Sequence, residues 1–212
     1  INNEFLASPR IDNLSCTYAG LEAFLKSKGK DIDILVIFNS EEIGSNTLEG
    51  ADSNFLIDTL KKISANLNLD LPITLNNSIV ISADNTHARH PNHDELSDHT
   101  NTPPLDSGIM IMKETSSSTN SISSTIMKHI CESKKIKYSY YTSRNDYATG
   151  STLAGPNLKH LSINSLDIDL VMLAMHSSFE IIGLKDIYLL YKALQKFYEI
   201  KYTLNNNEIN FL

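Results

Sequence analysis

Two neighbouring carboxylates, Glu41 and Glu42, closely follow the apolar run 34–38 and are the residues best suited to do chemistry. Like charges this close together are costly unless water or a cation offsets them. Other side chains of metal-binding types lie at separate points of the chain, namely Asp12, Asp84, His87 and His176. Carboxylates and imidazoles that bind ions, with one carboxylate left free to move protons, are what a two-metal hydrolase needs.

The composition limits the class of protein. With 212 residues, 41% of them hydrophobic and 20% charged, the chain is long enough for one substantial α/β domain or two small ones. A formal net charge of −7 without a basic stripe argues against nucleic-acid binding, because phosphate recognition needs clustered Lys and Arg. No apolar run approaches membrane-spanning length and no signal-peptide pattern occurs, which predicts a cytoplasmic protein without a membrane partner.

The cysteines and the start of the chain allow two smaller inferences. Cys16 and Cys131 lack CxxC spacing and lie in predicted helices, so we expect reduced thiols in the core rather than a disulfide. The chain begins at Ile1 without an initiator Met, which indicates a piece of a longer polypeptide.

Hydrophobic periodicity predicts helices that alternate with short strands. An amphipathic helix is predicted over 13–27, because large apolar side chains recur at helical spacing in Leu14, Tyr18, Leu21 and Leu25. Further helices are predicted over 56–67, 122–131 and 184–197, strands over 33–38, 79–83, 109–112, 138–142 and 166–174, a long loop over 90–107, and a Ser-rich loop with a helix N-cap over 115–124. This alternation predicts an α/β fold with a largely parallel sheet covered on both faces.

The predicted strand ends bring the candidate residues near one another. Sites in parallel sheets collect beyond the carboxyl ends of the strands. Glu41, Asp84 and His176 each lie just beyond a predicted strand, so we expect these three side chains to converge.

Six short segments, taken in order, carry a family resemblance. They are PRIDNL at 9–14, EEIGS at 41–45, SADNTHARHPN at 82–92, RND at 144–146 with GST at 150–152, GP at 155–156, and MLAMHS at 172–177. In this order they resemble the M18 family of metallo-aminopeptidases, which includes aspartyl aminopeptidase and vacuolar aminopeptidase I. The resemblance runs from residue 8 to about residue 199 and implies a three-layer α/β/α zinc-exopeptidase-like domain with a central, mostly parallel mixed sheet.

The resemblance also implies a role for each candidate residue. By position, Asp12 is implied to bridge two metal ions. Glu42 and His176 are implied to be the other ligands of one ion, and Asp84 a ligand of the second. Glu41 is implied to be the general base that takes a proton from the attacking water and passes it to the leaving amine.

The substrate and cofactors follow from the same resemblance. His87 resembles a residue that contacts the substrate or its transition state, and Lys113 resembles a lysine near the substrate pocket. The implied cofactors are two divalent metal ions, zinc with cobalt or manganese as alternatives. The implied reaction removes single N-terminal residues from peptide substrates. The implied assembly is a homo-oligomer, because the known members of the family form closed dodecamers.

The chain departs from the family pattern at one metal ligand. The family's upstream histidine has no counterpart here, because all seven histidines lie at or after position 87. We therefore interpret residues 1–212 as a metallo-aminopeptidase catalytic domain that lacks its N-terminal segment and the inserted dimerisation domain. The loop after residue 92 and the segment 114–120 also differ, which affects the specificity pocket more than the metal ligands.

Two other functions stay open. A related two-metal deacylase would use the same ions but would not require a free α-amine on its substrate. A non-catalytic, peptide-binding relative with an incomplete metal site is favoured by the missing histidine, whereas the retained Glu41 argues against it.

Each candidate residue also has a structural alternative when it is considered alone. The alternatives are a solvated pair for Glu41 and Glu42, a helix N-cap for Asp12, a surface turn for Asp84 and His87, and a satisfied buried histidine for His176. The histidines at 90, 93 and 99 are interpreted as solvated side chains rather than as a metal cluster. Arg144 and Asp146 are either a structural ion pair or a substrate clamp.

Overall fold

The computed structural model describes residues 1–114, 116–147, 150, 155, 160–205 and 208–212. Its helices are α1 (Ile11–Lys26), α2 (Phe55–Asn66), α3 (Leu71–Asn76), α4 (Ser121–Lys134) and α5 (Leu184–Glu199). Its strands are β1 (Phe5–Ser8), β2 (Ile79–His87), β3 (Ile109–Met112), β4 (Tyr138–Tyr141), β5 (Asn164–Leu173), β6 (Glu180–Gly183), β7 (Tyr202–Asn205) and β8 (Glu208–Phe211). Short 3-10 turns cover Glu41–Ile43 and Asp94–Leu96.

Strand β5 is central to a six-stranded sheet, and all but its two end residues are buried. It pairs in parallel with β2, and β3 pairs in parallel with β4. The β1–β6, β5–β6 and β3–β5 pairings are antiparallel. The predicted α/β fold with a mixed sheet is confirmed, although antiparallel pairing has a larger share than expected. The β5–β6 pairing has a local reason, because the short connection after β5 leads directly into β6 and needs no crossover helix.

Successive residues of the central strands point to opposite faces of the sheet and divide the apolar core in two. Ile109 and Ile111 of β3 join Ile168 of β5 in the larger cluster, which side chains of α1, α4 and α5 complete. Met110 and Val171 belong to a smaller cluster on the opposite face. This second face also carries the cleft that holds the candidate site.

Helix α1 packs through its small residues rather than its large ones. Cys16, Ala19 and Ala23 are buried, and α1 lies against α5 and β2. The predicted helix is confirmed, but its large apolar side chains are exposed, namely Leu14, Tyr18, Leu21 and Leu25. Small side chains allow close approach of neighbouring elements, and this approach decides which side of the helix is buried.

The strand predicted over 33–38 is wrong. This segment is not a strand in the structure, and Ile34 and Ile37 are exposed. A run of β-branched residues forms a strand only where a neighbour satisfies its backbone hydrogen bonds. No strand in the part of the chain that the structure describes pairs with this segment.

Several further elements were not predicted, namely the short strands β1 and β6, helix α3 and the β7–β8 hairpin. Helix α3 begins after Asp70, whose side chain accepts a hydrogen bond from the backbone N–H of Ile73 at 3.0 Å. The β7–β8 hairpin packs Phe211 against His129, with ring centroids 3.7 Å apart. The other predicted helices and strands are present with shifted ends, as β2 shows by continuing to His87.

The structure can be compared with two predictions, the state of the cysteines and the absence of a membrane-spanning segment. Cys16 and Cys131 are buried free thiols, as predicted. Among the described helices, none is both long enough and apolar enough to cross a membrane.

Helix α4 starts with a reciprocal capping interaction that can be tested. Asn120 accepts a hydrogen bond from the backbone N–H of Ser123 at 2.9 Å, and the Ser123 hydroxyl receives one from the N–H of Asn120. Asn120→Ala should therefore lower the free energy of unfolding by about 1 kcal/mol in urea titrations. Asn54→Ala is the matched control, because Asn54 precedes α2 without a side-chain cap. Equal losses in the two variants would contradict the capping role.

Asp186 is a buried carboxyl group at the start of α5 and is not among the described residues that line the cleft. It accepts a hydrogen bond from the backbone N–H of Gly108 at 2.8 Å. Burial, partly offset by this hydrogen bond, raises the pKa of Asp186 from 3.8 to about 6. Between these values the folded protein keeps a proton that the unfolded chain has released, so stability is lost as the pH rises through this window.

Asp186→Asn removes this titration. Relative to wild type, the variant should gain roughly 3 kcal/mol in unfolding free energy between about pH 4 and about pH 7. Urea unfolding at several pH values measures the difference. The control is Glu208→Gln, at an exposed carboxylate, which should follow wild type. A constant difference between Asp186→Asn and wild type across the range would show that Asp186 keeps an ordinary pKa.

Candidate metal centre

Three side chains from distant parts of the chain meet at one point. Asp12 lies at the start of α1, Glu42 in the first 3-10 turn, and His176 in the turn after β5. The His176 Nε2 atom is 3.0 Å from Asp12 Oδ2 and 3.2 Å from Glu42 Oε1. This is the one group of three or more such side chains in the described residues whose ligand atoms all lie within 4.8 Å of one another.

The triad fits a divalent ion of the zinc type. Zinc binds carboxylate oxygens and imidazole nitrogens, and bonds of about 2.0–2.1 Å in a tetrahedral arrangement separate the ligand atoms by roughly 3.3 Å. The measured separations of 3.0 and 3.2 Å are close to that value. Both the types of the ligand atoms and their separations therefore agree with a zinc site.

Turns in the left-handed region of φ adjoin each ligand of the triad. Arg10 precedes Asp12 with a φ of 60°, and Ser40 precedes the Glu41–Glu42 pair with a φ of 66°. His176 itself has a φ of 64°. Non-glycine residues rarely adopt this conformation, and such outliers cluster at functional sites. We infer that the surrounding contacts hold these turns in place.

Glu180 forms hydrogen bonds with the backbone of two of the ligand residues, His176 and Asp12. Glu180 was not identified from the sequence. Its carboxylate is buried at the start of β6 and accepts hydrogen bonds from the backbone N–H of His176 at 2.7 Å and of Asp12 at 3.1 Å. It therefore fixes the backbone of both residues at once. The available signal was an acidic residue four positions after His176, followed directly by an apolar strand.

Glu41 lies beside the triad but is not part of it. Its side chain lines the same cleft, which has a volume of about 730 Å³. Desolvation raises the pKa of Glu41 above its ordinary value, and the nearby carboxylates Glu42 and Asp12 raise it further. The structure thus leaves a carboxyl group with raised proton affinity next to the candidate ion site.

Asp84 lines the cleft from β2. Its Oδ1 atom accepts hydrogen bonds from the Asn13 side chain at 2.5 Å and from the backbone N–H of Asn85 at 2.8 Å. Burial is the main cause that raises the pKa of Asp84 to about 7, with Asp12 and Glu41 adding to it. Asp84 therefore shares the cleft with Asp12 and Glu41, whose charges act on it, without belonging to the triad.

The two predicted substrate residues lie in different places. His87 lines the cleft at the end of β2, where desolvation and the nearby His176 lower its pKa. The ammonium of Lys113 lies 4.0 Å from the ring centroid of Tyr140, and Lys113 is not among the described residues that line the cleft. The structure therefore brings His87, but not Lys113, to the other candidate residues.

The loop histidines and the Arg144 segment form local pairs. His99 Nδ1 lies 2.9 Å from Asp94, and the His90 and His93 rings are 5.2 Å apart, without forming a metal group among the described residues. Arg144 Nε donates to Asp146 at 2.9 Å. In the predicted motifs at 150–152 and 155–156, residues 151, 152 and 156 lie outside the described residues.

A helix-covered mixed sheet with a cleft that gathers two carboxylates and an imidazole defines an α/β protein with a candidate divalent-metal centre. A family model described as Aminopeptidase I zinc metalloprotease (M18) matches residues 1–198 of the chain. The chain therefore belongs to the M18 family.

Individual relatives agree with this assignment. A Clostridium novyi (strain NT) protein named "Probable M18 family aminopeptidase 2" is 39% identical over 206 residues, which cover 94% of this chain and 48% of the relative. The chain thus spans about half the length of the curated relatives it matches.

Two solved structures share the fold. The M18-family aminopeptidase from Thermotoga maritima matches with a TM-score of 0.87 at 24% identity, over 94% of this chain and 47% of that one. The S. cerevisiae mApe1 dodecamer matches with a TM-score of 0.77 at 24% identity, over 93% of this chain and 46% of that one.

The support that Glu180 gives to the triad can be tested by metal binding. Glu180→Gln keeps the size of the side chain but loses the charge, and it turns an NH₂ group towards one backbone N–H. Zn²⁺ affinity at the triad should fall by roughly 10- to 100-fold in calorimetric titrations. Asp186→Asn, which alters a buried carboxyl group outside the cleft, should bind Zn²⁺ as wild type does. Unchanged affinity in Glu180→Gln would show that the two backbone contacts do not support the ligands.

Proposed function

We propose that this protein is a zinc-dependent aminopeptidase that removes single N-terminal residues from peptides. One observation carries the proposal: the ligand atoms of Asp12, Glu42 and His176 meet at ion-binding distance, with Glu41 beside them in an open cleft. Two comparisons support it. The family is described as zinc metalloproteases, and the C. novyi relative carries the name of an aminopeptidase.

The proposed cofactors are two divalent ions, zinc with cobalt or manganese as alternatives. Asp12, Glu42 and His176 would hold the first ion, and Asp84, with Asp12 between the two sites, would hold the second. When bound, such ions polarise a scissile carbonyl, orient the substrate and lower the pKa of water. The crowding of carboxylates in the cleft supports a site for cations, since their negative charges repel one another without one.

Glu41 is proposed as the general base. Its pKa is raised by desolvation and by the neighbouring carboxylates Glu42 and Asp12. A base with raised proton affinity can take a proton from the attacking water and later give it to the leaving amine. The two adjacent glutamates then have different roles. Glu42 belongs to the ligand triad, whereas Glu41 does not and stays free to transfer protons.

His87 is proposed to contact the substrate. Desolvation and the nearby His176 lower its pKa, which keeps the imidazole neutral near pH 7 and able to donate one N–H. A donor in the cleft can stabilise the negative charge that develops on the carbonyl oxygen. Lys113 is left out of this proposal, because its ammonium lies over the Tyr140 ring.

Homo-oligomeric assembly stays a prediction for this chain. It is supported by the shared fold with the mApe1 dodecamer. It is also consistent with the exposed apolar residues of α1, which include Leu14 and Tyr18.

The function is tested with the metal-loaded chain on matched free and N-acetylated aminoacyl substrates. Cleavage confined to substrates with a free α-amine is the result expected of an aminopeptidase. Release of acetate would indicate the two-metal deacylase instead. Peptide binding without any cleavage would indicate the non-catalytic relative. Rates on Asp, Glu and Leu substrates measure the preference for the N-terminal residue.

The role of Glu41 gives a separate prediction. Glu41→Gln should retain the metal content of wild type but lower kcat by roughly 100- to 10,000-fold, because the variant cannot accept a proton. The matched control is Glu49→Gln, at an exposed glutamate on the same loop, which should keep full activity. Metal analysis and steady-state kinetics on the three proteins measure both quantities. Wild-type kcat in Glu41→Gln would remove Glu41 as the base.

A further inference from the structure

Asp169 lies beside Asp84 on the cleft face of the sheet. The two residues are register partners on the parallel strands β2 and β5. The neighbours of Asp169 in the chain, Ile168 and Leu170, pack into the large core on the opposite face, so the Asp169 side chain points the other way. Both aspartates line the cleft that contains the metal triad.

Asp169 is buried without a hydrogen-bond partner on one oxygen. The residue is 1% exposed, and its Oδ1 atom accepts no hydrogen bond from any residue that the structure describes. Its register partner on the other side is the apolar Met110. A buried carboxylate with an unpartnered oxygen is costly unless a cation or a donor meets it.

Among the described residues that line the cleft, no positively charged side chain is available to neutralise this pair. Among the described lining residues of the cleft the one Lys or Arg is Arg144, and its guanidinium is paired with Asp146. The hydrogen bonds to Asp84 come from uncharged donors on Asn13 and Asn85, and both reach its Oδ1 atom. The negative charge of the two aspartates is therefore not neutralised by the described side chains of the cleft.

The register of the pair leaves room for one divalent cation between the two carboxylates. Neighbouring strands lie about 4.8 Å apart, so carboxylates in register on the same face can each turn one oxygen towards a point between them. Hard divalent ions such as Mg²⁺ and Mn²⁺ are bound through one or two carboxylates, with waters completing the coordination. Asp12 belongs to the same electrostatic group, since its charge acts on both Asp84 and Asp169.

We propose that Asp169 is a further ligand of the second metal ion, which it holds together with Asp84. The inference rests on the proposed metal-dependent function of the cleft and adds a ligand that no candidate motif contains. It explains why a buried central strand carries a carboxylate at this position, opposite Asp84 in the register.

The test is Mn²⁺ binding, measured without any substrate. The chelator-treated chain is titrated with MnCl₂ by calorimetry, and the bound ion is counted by elemental analysis after desalting. Wild type should bind two Mn²⁺ ions. Asp169→Asn and Asp84→Asn should each weaken one of them by roughly 10-fold or more, and the double variant should lose little beyond Asp84→Asn. His176→Ala should weaken the other ion, and Asp186→Asn should bind as wild type does.

A second readout distinguishes a ligand from a purely structural carboxylate. Without metal, Asp169→Asn should melt at or above the wild-type temperature, because it removes like-charge repulsion from Asp84. With saturating Mn²⁺, the increase in melting temperature should be smaller than in wild type. Asp169→Ser is the second variant if the asparagine does not fold, and circular dichroism checks both.

Two results would overturn the inference. One is a wild-type chain that binds a single Mn²⁺ ion. The other is an Asp169→Asn or Asp169→Ser variant that binds both ions with wild-type affinity. These outcomes are separate from peptide cleavage. A chain that binds two ions in the Asp169-dependent way yet cleaves nothing refutes the proposed aminopeptidase and leaves this site intact.

Discussion

The pairing of β5 with its neighbours is the constraint on which the rest of the structure depends. The alternation of side chains along β5 sends Ile168 and Leu170 into the large core and Asp169 into the cleft. Its parallel pairing with β2 places Asp84 level with Asp169, and its carboxyl end leads into the turn that carries His176. A shift of one residue in this pairing would move the apolar set to the cleft and the carboxylates into the core.

The cleft concentrates negative charge that the fold by itself does not offset. Asp12 and Glu41 both raise the pKa of Asp84, and desolvation raises it more. The protein accepts this cost by fixing the carboxylates with uncharged donors, as Asn13 does for Asp84 and as the backbone N–H groups do for Glu180. Such an arrangement has low energy only when cations or protons enter it, which is the physical link between the architecture and the proposed metal-dependent chemistry.

The failures of sequence reasoning share one cause. The segment 33–38 has the composition of a strand, yet no described strand pairs with it, and strand formation depends on that pairing. Leu14 and Tyr18 have helical spacing, yet Ala19 and Ala23 form the buried side of α1. In both cases the local pattern identified a tendency correctly, and the neighbouring elements decided the outcome.

The sequence by itself determined the elements with strong local signals and the residue types of the site. Periodicity located most helices and strands, and the ordered motifs named Asp12, Glu41, Glu42, Asp84 and His176 as one set. Only the tertiary structure decided how these residues meet. It added Glu180, which accepts hydrogen bonds from the backbone N–H groups of His176 and of the distant Asp12, and it placed Asp169 level with Asp84 on the neighbouring strand. It also separated Lys113 from the cleft, because the direction of a side chain depends on its neighbours in space rather than on its position in the chain.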